Sequence, residues 1–421
     1  ALSLHQLLVP GVNTLAIEIH NTSSGSSDMS GRSWLHFGLA SDAQMYGPIP
    51  SWFNPGSIPG NVLHTDFKLD FSEKLLLVNL AGDIIDSVSI GYLQPGHSRM
   101  RLNDDGDWCI TANPTPGNTN GWDCLGSYAA VPGFALPAGF YNGTQSTVLT
   151  GAAEIRYTTD GSIPTASSDL YTAPLQVTST TVVRARSFDP AQLPSAVATS
   201  TYFIDEPTTL TAVSVSLPPD DFSEVYDNYS RKGEVAVEYF DQNKQRQFAG
   251  NFAGYVVGNW SVSFAQKSLQ FDVDEDYGSL DDIQYPIFAP DKPIPALHAF
   301  RIRNEDDDWV QARMRDRIVN ELAAETYSGR ASYRNVAAFI NGEYWGHYVA
   351  RERLDNYFVR DNFGADPDSV QMVKTFLDLN LGATVDVAES GTLDDFQSMT
   401  NFIANMNMNN AANFQKASQL L

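Results

Sequence analysis

The chain has 421 residues, of which 43% are hydrophobic and 11% aromatic, enough apolar side chain for packed cores and too much for wholesale disorder. A chain this long outgrows a single core, so three or four domains are expected. The net charge of −24 is spread evenly: residues 1–204 hold 16 acidic and 8 basic groups, and residues 205–421 hold 34 and 18. That surface would repel phosphates, which excludes nucleic acid as a partner. No apolar run approaches the ~20 residues of a membrane-spanning helix.

Residues 1–45 read as short strands. Pro10-Gly11 makes a turn, Leu15, Ile17 and Ile19 alternate behind it, and Trp34 and Phe37 alternate again. This stretch is similar to the closing strands of jelly-roll, carbohydrate-binding-like modules, whose remainder would lie upstream of Ala1. Residues 46–128 continue strand-like, with Phe67 and Leu69, then Leu75–Leu77, then Ile84 and Ile85, and end near Asn113-Pro114-Thr115-Pro116-Gly117. These motifs resemble a lamin-tail domain, an immunoglobulin-like β-sandwich, although Ala81-Gly82-Asp83 replaces the family's usual turn. The only two cysteines, Cys109 and Cys124, lie here. In an oxidising compartment a disulfide between them would close a loop of about 15 residues and stabilise by ~3 kcal/mol. No C-x-x-C or ligand-spaced histidines exist, so metal binding by these cysteines is not expected.

In residues 129–204, Ile155, Tyr157 and Thr159 alternate into Asp160-Gly161, a hairpin-turn signal, and Val182, Arg184 and Arg186 alternate later. The run "IRYTTDGSIPT" resembles the small β-sandwich at the C-terminus of chitobiase and β-hexosaminidases. It has neither paired carboxylates in a cleft nor a nucleophile beside a base, so it reads as a spacer, with glycan binding the lesser alternative. Residues 204–221, rich in Thr, Ser, Pro and Asp, read as a linker.

Residues 205–421 change to a mixed pattern. Glycines 250, 254 and 258 have the wrong spacing for a phosphate loop and read as turns. Lys267 interrupts an alternating strand carrying Phe264, Leu269 and Phe271. Asp308 with Gln311 three residues on is a capping box, opening a helix whose Val310, Met314, Ile318 and Leu322, flanked by Val319 and Ala323, should form a buried stripe. Asn341-Gly342 between two apolar runs signals a tight hairpin. "LDNYFVRDNFG" reads as a short helix ending at Gly364.

Strand with lysine, helix, hairpin, acidic residue and short helix follow the order of a protein-kinase small lobe. "FAQKSLQF", "FRIRNEDDDWVQARMRDRIVNELA" and "FINGEYWGHYVARERLDNYF" resemble the CotH kinases, whose bacterial members often carry lamin-tail and chitobiase-type modules. The resemblance implies ATP with Mg or Mn, and Ser/Thr of surface or extracellular proteins as acceptors. It also implies export to the bacterial cell surface. The family's catalytic and metal-binding acidic motifs would lie beyond Leu421, so residues 1–421 alone are expected to be inactive. Phosphoryl transfer needs a cation on the phosphates and a carboxylate orienting it. Lys267 is the candidate cation, and Asp316, Glu321 and Glu325 are possible partners among which spacing does not choose. Glu352, where a kinase has its hinge, is read as touching nucleotide or bracing the lobe. Ten arginines fall within residues 301–360, with Arg303, Arg315 and Arg351 best placed for phosphate contacts. The acidic run 272–282 invites structural calcium, but Gly278 and Ile283 break the EF-hand pattern.

The expected architecture is therefore multi-domain: immunoglobulin-like β-sandwich modules, then an α+β kinase-like domain incomplete at its C-terminus. The rival expectation is a non-catalytic surface protein whose β-modules serve adhesion, assembly or polysaccharide binding.

Overall fold

The computed structural model describes residues 72–419 apart from 79–82, 103–105, 116–117, 122–123, 152, 229–230, 259, 306–307, 310, 326–328 and 379–382. The strands read in residues 1–45, and Phe67 and Leu69, lie outside the described residues. The chain divides into two compact units, Ala1–Ser127 and Tyr128–Leu421.

In the first unit β1 (Lys74–Val78) and β2 (Ile84–Ser89) form one antiparallel ladder, and β3 (Ser98–Met100) and β4 (Cys109–Thr111) form another. Cys109 and Cys124 are joined as expected, with Cα atoms 5.5 Å apart. Ile110 and Leu125 bridge beside the disulfide and tie the loop to β4. Arg101 pairs with Asp86 at 2.8 Å and lies 4.3 Å from the Trp108 ring centroid.

The second unit begins with short strands: β5 (Gly133–Phe134), β6 (Gly139–Tyr141), β7 (Gln145–Thr147), β8 (Leu149–Thr150), β9 (Glu154–Thr158), β10 (Asp169–Leu170) and β11 (Leu175–Val177). Two longer ones follow, β12 (Thr181–Phe188) and β13 (Ala198–Ile204). They build a sheet of order β10-β9-β12-β13-β6 with the pairs β11-β7 and β5-β8 beside it. Asp160-Gly161 does not make a two-residue hairpin; it opens the loop that leads to β10.

Next come β14 (Thr211–Ser216), β15 (Gly233–Phe240), β16 (Arg246–Val257), β17 (Ser268–Asp272), β18 (Ala299–Arg303), β19 (Tyr333–Ile340) and β20 (Glu343–Glu352). They close into a seven-stranded barrel of order β14-β15-β16-β17-β18-β20-β19. Closure removes free sheet edges, and the interior fills with Val213, Val237, Phe252, Phe271, Phe300 and Tyr348. The expected α+β lobe is thus a barrel, and the reason lies in the supposed linker. Residues 211–216 form β14, buried throughout, which pairs parallel with β19 and antiparallel with β15. Glycines 250 and 254 lie inside β16 rather than in turns. A Cβ on them would come within 2.4 Å of Leu280 and 2.6 Å of Val235, respectively.

Helices α1 (Pro219–Asp227), α2 (Arg315–Leu322) and α3 (Asn356–Phe363) flank the barrel strands in sequence. The ladder of β21 (Met372–Asp378) with β22 (Ala383–Ser390), then α4 (Asp394–Asn405) and α5 (Ala411–Gln419), follow. Helix α3 ends at Gly364 as read, with φ +71°, and it opens at Asp355, whose carboxylate accepts the Phe358 N–H at 2.9 Å. Helix α2 differs. Arg313 at φ +53° breaks the helical path, so the helix starts at Arg315 instead of Asp308. Asp308 still caps the turn, accepting N–H bonds from Ala312 (3.2 Å), Met314 (2.6 Å) and Arg315 (3.1 Å). The stripe is not buried: Met314, Ile318, Val319 and Leu322 are 51–76% exposed. Helical spacing reports a two-faced helix, and burial also needs a neighbouring element over the apolar face; Val310 lies outside the described residues.

The β-module is packed onto the barrel rather than strung ahead of it. Phe203 of β13 stacks on Phe140 (4.2 Å) and meets Phe240 (5.1 Å) and Phe339 (4.6 Å) edge-on. Both faces of β12 are covered, since Val182, Val183, Arg184 and Ala185 are each at most 1% exposed. The Asn341-Gly342 hairpin forms with both residues at positive φ, +49° and +85°, as a tight type I′ turn requires. The Asn341 amide bonds the N–H and C=O of Leu217 at 3.0 and 2.9 Å. Gly161, at φ +90°, also rests on this amide so closely that a Cβ would lie 2.3 Å from Asn341 Oδ1, so both its turn conformation and its packing call for glycine.

Candidate anion-binding face

Strand register brings five polar residues from distant parts of the chain into one row. Tyr255 opposes Gln270, Gln270 opposes Arg301, Arg301 opposes Arg351, and Arg351 opposes Tyr333. Their sequence neighbours Phe271, Phe300, Ile302 and Ala350 point into the barrel core, so the two-residue period of a strand turns the row outward. Two arginines directly opposite each other repel. Arg303, one pleat along β18, and Arg353, just past β20, add further positive charge.

Carboxylates balance only part of it. Asp316 on α2 takes Arg303 at 3.5 Å and also Arg351, while the Tyr333 hydroxyl donates to the Asp316 carbonyl at 3.0 Å. Arg353 is held by Asp272 (2.8 Å) and Asp355 (2.9 Å), and Asp272 also accepts from Tyr255 and Gln270, both at 2.7 Å. Arg301 has no carboxylate partner among the described residues; its Nε donates to Gln270 Oε1 at 2.9 Å. Burial, followed by the charges of Arg303, Arg353 and Arg351, pulls its pKa down to about 10. It remains charged at neutral pH, and the destabilisation is what a bound anion would relieve. Burial likewise pushes Glu305, two residues past β18, up to about 7, with Arg303 opposing. Glu305 has φ +72°, a strained value for a residue with a side chain. Tyr333 is raised to about 12 by burial.

The other candidates lie elsewhere. Lys267, immediately before β17, is paired with Asp227 of α1 at 3.6 Å and lies 5.2 Å from the Tyr226 ring centroid, its side chain 14% exposed. It meets neither Asp316 nor Glu321, and the Glu325 side chain is outside the described ones. The reason is that Lys267 precedes the strand, whose end abuts α1 rather than α2. Glu321 is exposed without an ion pair among the described residues. Arg315 binds Asp308 at 3.1 Å and is otherwise exposed. Buried Glu352 accepts from Lys292 (3.0 Å), the Ser332 N–H (2.6 Å) and Asn362 (2.9 Å). Lys292, overlooked in the sequence, also donates to the Arg330 carbonyl and to Asn362 Oδ1. Its three N–H donors are thus spent within the fold, and this cluster braces the barrel against α3. Arg303, Arg351 and Asp316 are therefore the candidates that the structure brings together. Arg301 was missed; its alternation with inward Phe300 and Ile302 was the available signal.

Three carboxylates of the acidic run 272–282 are taken up in similar ways. Asp272 serves Arg353, Asp274 pairs with Lys232 at 3.3 Å, and Asp282 binds Arg360 at 2.7 Å. Among the described residues no group of three or more Asp, Glu, His or Cys side chains converges to hold a metal. No described helix is long and apolar enough to cross a membrane.

Residues 256–419 match the family model described as CotH kinase protein. That span takes in Gln270, Arg301, Arg351 and Tyr333 of the row, whereas β14, β15 and most of β16 precede it. Residues 136–199 match a second model, the chitobiase/beta-hexosaminidase C-terminal domain. No curated protein matches the chain. The sequence is CotH-like over the larger part of the barrel.

Proposed function

We propose that the arginine row is the phosphate-binding wall of a nucleotide site, and that the intact protein is an exported, CotH-like protein kinase transferring phosphoryl groups from ATP to Ser/Thr of surface proteins. The observation that carries this is Arg301, a half-buried guanidinium with no carboxylate partner among the described residues, directly opposite Arg351 in a chain of net charge −24. An arrangement that costs folding energy and leaves N–H donors unspent suits a ligand that brings negative charge. Arg301, Arg303 and Arg351 would take phosphate oxygens, and Glu305, titrating near neutrality beside them, would set the local charge. The divalent cation that the family likeness implies finds no matching ligand set among the described residues. The Cys109–Cys124 disulfide and a lamin-tail, immunoglobulin-like reading of the first unit favour an extracellular, bacterial cell-surface setting.

The test is a melting experiment on the full chain with ATP or inorganic triphosphate. Saturation at 100-fold over Kd stabilises by about 2.7 kcal/mol, and Arg301→Met should abolish the shift without lowering the ligand-free melting temperature. An ATP shift that survives Arg301→Met would place the phosphates elsewhere.

A further inference from the structure

The junction between the β-module and the barrel contains a cleft that the phosphate reading leaves unused. Its volume is about 380 Å³. One wall comes from Pro132, Phe134, Pro137 and Val197 of the module; the other comes from Glu238 of β15 and Arg246 and Asn251 of β16. Glu238 is 1% exposed, its carboxyl raised by burial; it accepts from Arg246 at 2.8 Å and from the Thr201 hydroxyl. Arg246 Nη1 also donates to the Thr199 carbonyl at 3.2 Å, while the rest of its guanidinium, in a side chain 36% exposed, has no partner among the described residues. The Asn251 amide gives its N–H to Glu234 at 3.0 Å and keeps its oxygen available.

We infer that this cleft is a binding site for a neutral, hydroxyl-rich ligand, a short oligosaccharide segment. Charge decides against an anion: Glu238 neutralises Arg246 at contact distance, and among the described residues these are the only two charged ones that line the cleft. The volume accommodates roughly one or two sugar rings and is near the lower end of small-molecule sites. The two walls match the two characters of a pyranose. The proline and phenylalanine wall covers its C–H face, and the guanidinium donors, the Asn251 oxygen and the Thr199 hydroxyl meet its rim of hydroxyls. A buried, paired carboxylate beneath a fixed guanidinium keeps these groups in place before the ligand arrives, which lowers the ordering cost of binding. The site exists only because the module packs on the barrel, since neither contributes both walls. It goes beyond the phosphate-binding reading and does not depend on it.

The experiment is calorimetric titration of the full chain with maltotriose, cellotriose, xylotriose, mannotriose and chitotriose. At least one should bind with a Kd of about 1 mM or tighter. Ala249→Trp, an exposed position at the cleft, should weaken that binding at least about tenfold while the thermal melt stays within 2 °C of wild type, as expected of a surface substitution. Arg246→Met tests the polar wall and should weaken it likewise. Silence of all five sugars at about 20 mM would overturn the inference, and so would binding that Ala249→Trp leaves unchanged.

Discussion

Phe203→Ala tests whether the β-module and the barrel are one folding unit. Phe203 is fully buried, stacked on Phe140 at 4.2 Å, with Phe240 and Phe339 edge-on at 5.1 and 4.6 Å. Truncating a buried phenylalanine costs about 3–5 kcal/mol through lost transfer energy and the cavity left behind. The upper part of that range applies, because each aromatic pair adds about 0.5–1.5 kcal/mol. The cavity cannot close easily: the backbones on its barrel side, β14 and β19, are hydrogen-bonded to each other. Thermal unfolding followed by tryptophan fluorescence should show the melt of residues 128–421 falling by on the order of 5–10 °C. Hydrogen exchange should show residues 136–199 and the barrel strands losing protection together. Loss of protection confined to residues 136–199, with β15 to β18 unchanged, would refute the coupling and restore the module to a passive spacer.

Glu305 makes the stability of the second unit pH-dependent. Its pKa rises from the ordinary 4.5 to about 7 on folding, so the folded state takes up the proton more readily. That contribution is fully present below pH 4.5 and is lost as pH rises through 7. Glu305→Gln should flatten the stability profile across this window and stabilise the protein above pH 7, read from denaturation midpoints at several pH values. Replacing both Cys109 and Cys124 by serine should cost the first unit about 3 kcal/mol. Denaturation followed by hydrogen exchange should find residues 128–421 unaffected.

What was legible in the sequence is what short-range energetics controls. The Asn341-Gly342 turn, the Asp355 and Gly364 caps of α3 and the strands around Leu75 and Ile84 are each signalled within a few residues. The reading failed where burial depended on a distant partner. The stripe on α2 has the spacing of a core face, yet no described element covers it; residues 211–216 have the composition of a linker, yet β15 and β19 bury them. Lys267 stood out because it broke an apolar alternation, yet that says nothing about which carboxylate the folded chain sets beside it.

By itself, then, the amino-acid order determined which segments turn, cap and extend, because those choices rest on backbone dihedrals and hydrogen bonds between near neighbours. The composition of the candidate site was decided by tertiary structure alone. Register across β16, β17, β18, β20 and β19 aligns Tyr255, Gln270, Arg301, Arg351 and Tyr333. A shift of one residue in any of these pairings would turn that strand's polar member into the core. Barrel closure selects the register by burying Phe271, Phe300 and Ile302, and the arginines are left together on the outside as a consequence.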